Sequence, residues 1–251
     1  MSLETRLSAL ITAIGADIKA LQAASGGSSD PFRTKMRKVI ECYSEFLGDF
    51  GDLVSNYSGT GTNVSILTTA GPSADAYGIA LLSTGSDAAG RAALRSQLDQ
   101  YIFGLGKMEF ASKVYMNAIN DASNRAPVRI GWGDNDFADH VDGVYFEYDG
   151  TVSANWLCKT AGSSTRTSVD SGVAVGALSW YTLAIEVNAA GTEAKYYING
   201  TLVATITTNI PTNFSFQKTS HGAWIVKTLG TTARFVYIDY IAMRIERTTM
   251  R

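Results

Sequence analysis

The sequence predicts a mainly β protein, a sandwich of two antiparallel sheets preceded by one N-terminal α-helix. Three observations lead there. More than ten short runs rich in Val, Ile, Tyr, Phe and Thr follow one another, separated by Gly, Asn, Asp and Pro, as in two-sheet all-β domains. Asn199-Gly200 stands between two such runs. This pair is the strongest short hairpin signal, because both residues tolerate the positive φ of a type I′ turn. Residues 2–22 alone carry a confident helical stripe.

In that stripe Leu3, Leu7, Leu10, Ile11, Ile14, Ile18 and Leu21 share one side, with Ala9, Ala13, Ala16 and Ala20 filling in. A heptad places Leu7, Ile14 and Leu21 at a and Leu3 and Leu10 at d, while Asp17 takes the third d position. Ile11 and Ile18 widen the stripe towards ordinary 3.6-residue spacing. An isolated helix of about 20 residues is marginal in water, so this face needs a cover. Its own domain could supply one. The expected arrangement is a short trimeric coiled coil holding a homotrimer through Leu3, Leu7, Leu10, Ile14 and Leu21. Residues 23–31 are a Gly/Ser linker, and residues 32–251 form the β domain.

Residues 38–47 read either as a strand or as a helix, with Met36, Val39, Ile40, Tyr43, Phe46 and Leu47 at helical spacing. Strands are expected in 58–67, 78–85 and 107–116, and a short helical turn in 88–98. Runs 127–133 and 143–150 flank a polar loop, 134–142, and a strand at 155–160 follows. In 179–211, Tyr181, Leu183, Ile185 and Val187 alternate with polar or small residues in the period of a half-buried strand. The Asn199-Gly200 turn then pairs Ile198 with Thr201, Tyr197 with Leu202 and Tyr196 with Val203. That register puts Tyr196, Ile198 and Val203 on one face and Tyr197, Leu202 and Ile206 on the other, so either both faces are covered or the outer one meets a partner. Runs 221–230 and 234–246 close the chain. The second is apolar on both faces over Phe235 to Met243, as in a central strand.

Composition narrows the function. The formal net charge is −2, and RTKMRK (33–38) is the one basic cluster, read as a solvated edge rather than a nucleic-acid surface. No apolar run approaches the roughly 20 residues of a membrane-spanning helix. Met1 is followed by Ser-Leu-Glu-Thr-Arg rather than a basic and then apolar leader. Synthesis in a reducing cytoplasm is expected, with Cys42 and Cys158 as buried free thiols.

Catalytic motifs are lacking: His140 and His221 have no partnered serine in a nucleophile elbow, and no metalloprotease or redox-cysteine spacing occurs. Among the carboxylates, Glu147 with Asp149 and Glu186 with Asp239 do not form a facing pair on one strand. The expectation is a non-enzyme. The loop supplies oxygen ligands of the kind calcium takes, in Asp134, Asp136 and Asp139, without EF-hand spacing; calcium is the single cofactor considered. Trp132, between Gly131 and Gly133 beside that loop, is read as an accessible indole for stacking on a sugar ring, whereas Trp180 is read as core. A glycan site is therefore expected at Trp132, Asp134, Asp136 and His140.

Two features resemble known proteins. ETRLSALITAIGADIKAL (4–21) resembles the short helices of bacteriophage tail-fibre and appendage proteins. ECYSEFLG (41–48), SGTG (58–61), YGIALLSTG (77–85), IGWGDNDFADHVDGVYFEYD (130–149), NWLCKT (155–160), DSGVAV (170–175), the 180–211 stretch and YIDYIAMRIE (237–246) resemble the concanavalin A-like (laminin-G-like) jelly-roll domains of phage virion proteins. The resemblance implies a concanavalin A-like jelly-roll sandwich and favours a strand at 38–47. It implies a non-enzymatic virion surface protein made in the host cytoplasm. This would be a trimeric short head fibre or capsid decoration, meeting capsid or tail proteins and host-surface glycans. A receptor-binding tail fibre and a glycan-cleaving enzyme are the alternatives on the same fold.

Overall fold

The computed structural model describes residues 39–67, 71–72, 78–97, 100–118, 120–213 and 215–247. The helix at 2–22, its residues Leu3, Leu7, Leu10, Ile14 and Leu21, and the linker 23–31 lie outside the described residues. Fifteen strands occur among the described residues: β1 (Val39–Ser44), β2 (Leu53–Ser58), β3 (Asn63–Leu67), β4 (Ile79–Ser83), β5 (Arg91–Ser96), β6 (Gly106–Met116), β7 (Val128–Gly133), β8 (Gly143–Tyr148), β9 (Asn155–Gly162), β10 (Thr165–Ala174), β11 (Ser179–Val187), β12 (Ala194–Ile198), β13 (Thr201–Ile206), β14 (Ser220–Val226) and β15 (Phe235–Arg247). No helix among the described residues is long and apolar enough to cross a membrane.

The strands form two antiparallel sheets. The eight-stranded sheet runs β13-β12-β11-β6-β15-β4-β3, with β1 also on β15. The seven-stranded sheet runs β10-β9-β8-β7-β14-β5-β2. β15 is central, as its composition predicts: β6 flanks one side, and β4 and β1 share the other. Its Val236, Ile238, Ile241 and Met243 face the core, while Tyr237, Tyr240 and Ala242 are half-buried on the outer face.

The hairpin turn forms as expected, with φ of 51° at Asn199 and 80° at Gly200. Ile198 pairs with Thr201 and Tyr197 with Leu202, but Tyr196 pairs with Ala204 across a bulge, not with Val203. The extra residue returns Ile206 to the core face beside Tyr196, Ile198 and Ala204. Tyr197 stays half-buried and Leu202 exposed.

Other expectations need correction. Residues 91–96 are a strand, not a helical turn: Ala, Arg and Leu favour helix locally, but β5 is paired on both sides, by β14 and β2. At 38–47 the strand that the resemblance favours does form, against the helical spacing: pairing with β15 turns Ile40 and Cys42 inward and leaves Tyr43 exposed. Ser58 ends β2, and residues 59–62 are a turn closed by Thr62 N–H on the Gly59 carbonyl at 3.3 Å, so the next strand starts only at Asn63. Trp180 is not core: it lies half-buried on the outer face, against Tyr115 and 4.9 Å from Lys113 Nζ. Both cysteines are free thiols, Cys158 buried and Cys42 half-buried.

Candidate functional site

Strand alternation sends every second residue of the seven-stranded sheet outward. On β7 this splits Trp132 from its two glycines. Trp132 faces inward, 0% exposed, between the rings of Phe103 at 5.4 Å and Phe110 at 5.5 Å. It therefore cannot stack on a sugar, contrary to the sequence expectation. Burying an indole of about 200 Å² at about 25 cal/mol per Å² favours the core strongly. Gly133 clears the opposite face, since a Cβ on it would lie 2.2 Å from the His140 ring, while one on Gly131, at φ 142°, would lie 2.6 Å from the Val144 carbonyl oxygen and 3.0 Å from Ile185 Cδ1.

Onto that cleared face folds the loop 134–142. Asn135 Oδ1 accepts from the N–H of Phe137 (2.8 Å) and Ala138 (3.0 Å), and Asp134 Oδ1 accepts from Val141 N–H (2.9 Å). Asp136 is the anchor. Its carboxylate accepts from Arg95 Nε at 2.7 Å, Trp224 Nε1 at 2.9 Å and Asn56 Nδ2 at 2.8 Å. Burial works to raise this carboxyl, and these three donors outweigh it, holding it below the usual range. Phe137 lies under the Arg91 guanidinium, 3.8 Å from ring centroid to Cζ. His140 is fully buried between Tyr145 and Trp224, each ring 4.7 Å away. Burial, then the charge of Arg129, pushes its imidazole well below its ordinary value, so it is neutral and sealed. Asp142 Oδ1 accepts from Ser163 N–H at 2.7 Å.

The expected calcium trio thus does not converge. Asp136 turns to Arg95, Asp139 to Arg129 and Arg166, and Asp134 to the Val141 amide. Among the described residues no group of three or more His, Cys, Asp or Glu is arranged to hold a metal ion.

Beside the loop, β7 to β10 build a charged cluster. Glu147 is held by Arg129 Nε at 2.7 Å and by Lys159. Arg129 Nε also lies 3.2 Å from Asp139, which Arg166 Nε meets at 2.9 Å and the Tyr145 hydroxyl at 2.9 Å. Arg166 donates further to the carbonyls of His140 (2.6 Å) and Ser164 (3.1 Å). Burial tends to raise the Asp139 carboxyl, but Arg129, Lys159, Tyr145 and Arg166 keep it below the usual range. Exposure grades upward: the side chains of Glu147 and Arg129 are 5% and 8% exposed, Lys159 13%, Arg166 30% and Asp139 34%. The floor is sealed and the rim meets solvent.

The sequence reading brought together loop residues only. It missed Arg129, Tyr145, Lys159 and Arg166, and considered Glu147 solely as a catalytic acid. A signal was present: PVRIGWG and NWLCKT each place one charged residue, and GVYFEYDG two, on the phase opposite the core-facing apolar residues.

The outer face of the eight-stranded sheet is different in kind. Ala184, Ala111 and Ala242 stand in one row between Tyr197 and Tyr43, flooring an open depression of about 470 Å³ whose rim includes Glu109, Glu186 and Arg244. Its alanine side chains offer no hydrogen-bonding group, and Arg244 is already paired with Glu109 at 3.0 Å.

Residues 75–239 match the family described as SO2946-like, C-terminal domain. No curated protein matches the sequence. Among solved structures, the fold is similar to SO2946, a protein of unknown function from Shewanella oneidensis MR-1, with TM-score 0.62, 15% identity and coverage of 89% of this chain and 97% of that one. It is similar to peanut lectin, with TM-score 0.55, 10% identity and coverage of 84% and 99%. A carbohydrate esterase of the Shiga toxin-encoding bacteriophage phi24B is similar at TM-score 0.51, 11% identity and coverage of 82% and 97%. The architecture is that of lectin-like, concanavalin A-like jelly rolls.

Proposed function

The chain belongs to the SO2946-like C-terminal domain family, and from that premise we propose that it is a non-catalytic, lectin-like protein of a virion surface. It holds host-surface glycans on the outer face of its seven-stranded sheet. The observation that carries this reading is the graded cluster at β7 to β10. Sugar hydroxyls need donors and acceptors together, set on a frame that costs little ordering entropy to hold. Asp139, Arg166 and Lys159 present such groups at the rim, while Arg129, Glu147 and Tyr145 fix them from below. The non-catalytic part rests on Glu147, which is pinned between two cations and is not free to act as a general acid or nucleophile. In the same reading three chains associate through residues 3–21 and present the jelly rolls outward as a short head fibre or capsid decoration.

A glycan array probed with the full chain and an Arg166→Ala variant tests the site. Wild-type binding to a subset of glycans, weakened roughly tenfold or more in the variant, is expected. Binding to no glycan refutes the function, and undiminished binding by the variant refutes the site.

A further inference from the structure

We infer that the charged cluster at β7 to β10 takes an acidic glycan, a sugar bearing a carboxylate that docks between Lys159 and Arg166. This rests on the glycan reading above and adds the ligand class. The cluster contains three cations, Arg129, Lys159 and Arg166, against two carboxylates, Glu147 and Asp139. One positive charge has no counter-charge within it.

Of the neighbouring carboxylates, two are paired with cations outside the cluster and three are held by neutral donors. Asp136 pairs with Arg95, and Asp149 with Arg125. Asp134 and Asp142 accept backbone amides of Val141 and Ser163. Asp170, further along β10, accepts from Ser153, Asn155 and Gly172.

The excess charge lies on the open side. Arg129 is deep and shared by both carboxylates, whereas Lys159 makes one ion pair with its three N–H donors. Arg166 directs donors at Asp139 and two carbonyls, and of its five N–H groups two remain. Lys159 pairs with Ser168 and Arg166 with Ala161 across β9 and β10. The two cations are thus diagonal neighbours, roughly 7–8 Å apart along the backbone, within joint reach of one planar carboxylate. The Ser168 hydroxyl, exposed beside Lys159, is placed to meet an adjacent sugar hydroxyl. Burial is the main cause of the lowered basicity of His140; Arg129, Arg166 and Lys159 add to it, and Asp139 opposes it.

The test uses the full chain with a galacturonic acid trisaccharide and its carboxyl-reduced, neutral counterpart, compared by isothermal titration at low and high salt. A sialic acid oligosaccharide and its carboxyl-reduced form serve as a second pair. The expected result is binding of an acidic member about tenfold or more tighter than its reduced form, weakened by salt, and lost in Lys159→Gln and in Arg166→Gln variants that keep the wild-type melting temperature. Equal affinity for acidic and reduced forms, with both weakened in Arg166→Gln, overturns this inference and leaves the glycan site standing. Acidic binding that survives both substitutions places the ligand elsewhere and overturns both. Failure of all probes, together with an array negative for every glycan, overturns both as well.

Discussion

His140 and His221 are buried without protonation. Burial alone pushes His221 down to about 4, and burial with the Arg129 charge lowers His140 well below its ordinary value. An unfolded histidine titrates near 6.5. As pH falls from about 6.5 to about 4, the unfolded chain takes up protons that the folded chain refuses, so stability drops. The slope is at most about 1.4 kcal/mol per pH unit for each histidine. Asp136 and Asp139 act in a lower window: their carboxyls are held below the usual range, and their contribution fades only as they protonate at still lower pH. Urea unfolding at about pH 7, 5.5 and 4.5 should show a progressive fall in midpoint, made shallower by His221→Gln; a flat wild-type profile would contradict the assignment. The Asp136 carboxylate makes a second residue-scale point. Asp136→Ala strands the buried Trp224 Nε1 and removes the partner of Arg95 Nε, and should cost about 2 kcal/mol in chemical denaturation. A loss below about 0.5 kcal/mol would mean that water replaces the carboxylate freely.

At the scale of elements, the β12–β13 hairpin shows how a turn can be specified by two residues and still leave the register open. Asn199 donates its N–H to the Thr182 carbonyl at 2.8 Å and accepts the Thr182 N–H on Oδ1 at 2.9 Å, tying the turn to β11. Gly200 has open space where a Cβ would stand. Replacing it tests mainly backbone strain, since a Cβ there meets nothing within 4 Å. Gly200→Val should destabilise by about 1–3 kcal/mol, read from thermal or urea unfolding; an unchanged midpoint would show that the positive φ of 80° carries no cost there. The loop 134–142 is the contrasting element. Its acidic residues look solvated in sequence, yet Asp136 is only 8% exposed and buttresses the sheet.

At the scale of the whole molecule, the proposed trimer depends on the apolar pattern of residues 3–21, with the Gly/Ser-rich residues 23–31 following it in sequence. Leu10→Asp with Ile14→Asp should yield monomers by sedimentation while keeping β-rich circular dichroism, because the two sheets make their own core among residues 39–247. A wild-type chain already monomeric at micromolar concentration would end the proposal.

The sequence by itself determined the sandwich, the Asn199-Gly200 turn, the central place of 235–243 and the span of most strands. Each rests on a local cause: the two-residue period of a half-buried strand, a positive φ, or apolar residues on both sides of a run. Only the tertiary structure decided that Ala92 and Leu94 belong to a strand, that Val203 sits in a bulge, and that Trp132 points away from the loop beside it. The same holds for the candidate site. Arg129, Asp139, Glu147, Lys159 and Arg166 lie up to 37 positions apart, and they meet because β7 to β10 pair in one particular register. A shift of one residue would turn each strand's charges into the core. The burial of the apolar partners on the opposite face sets that register, and no single strand contains it.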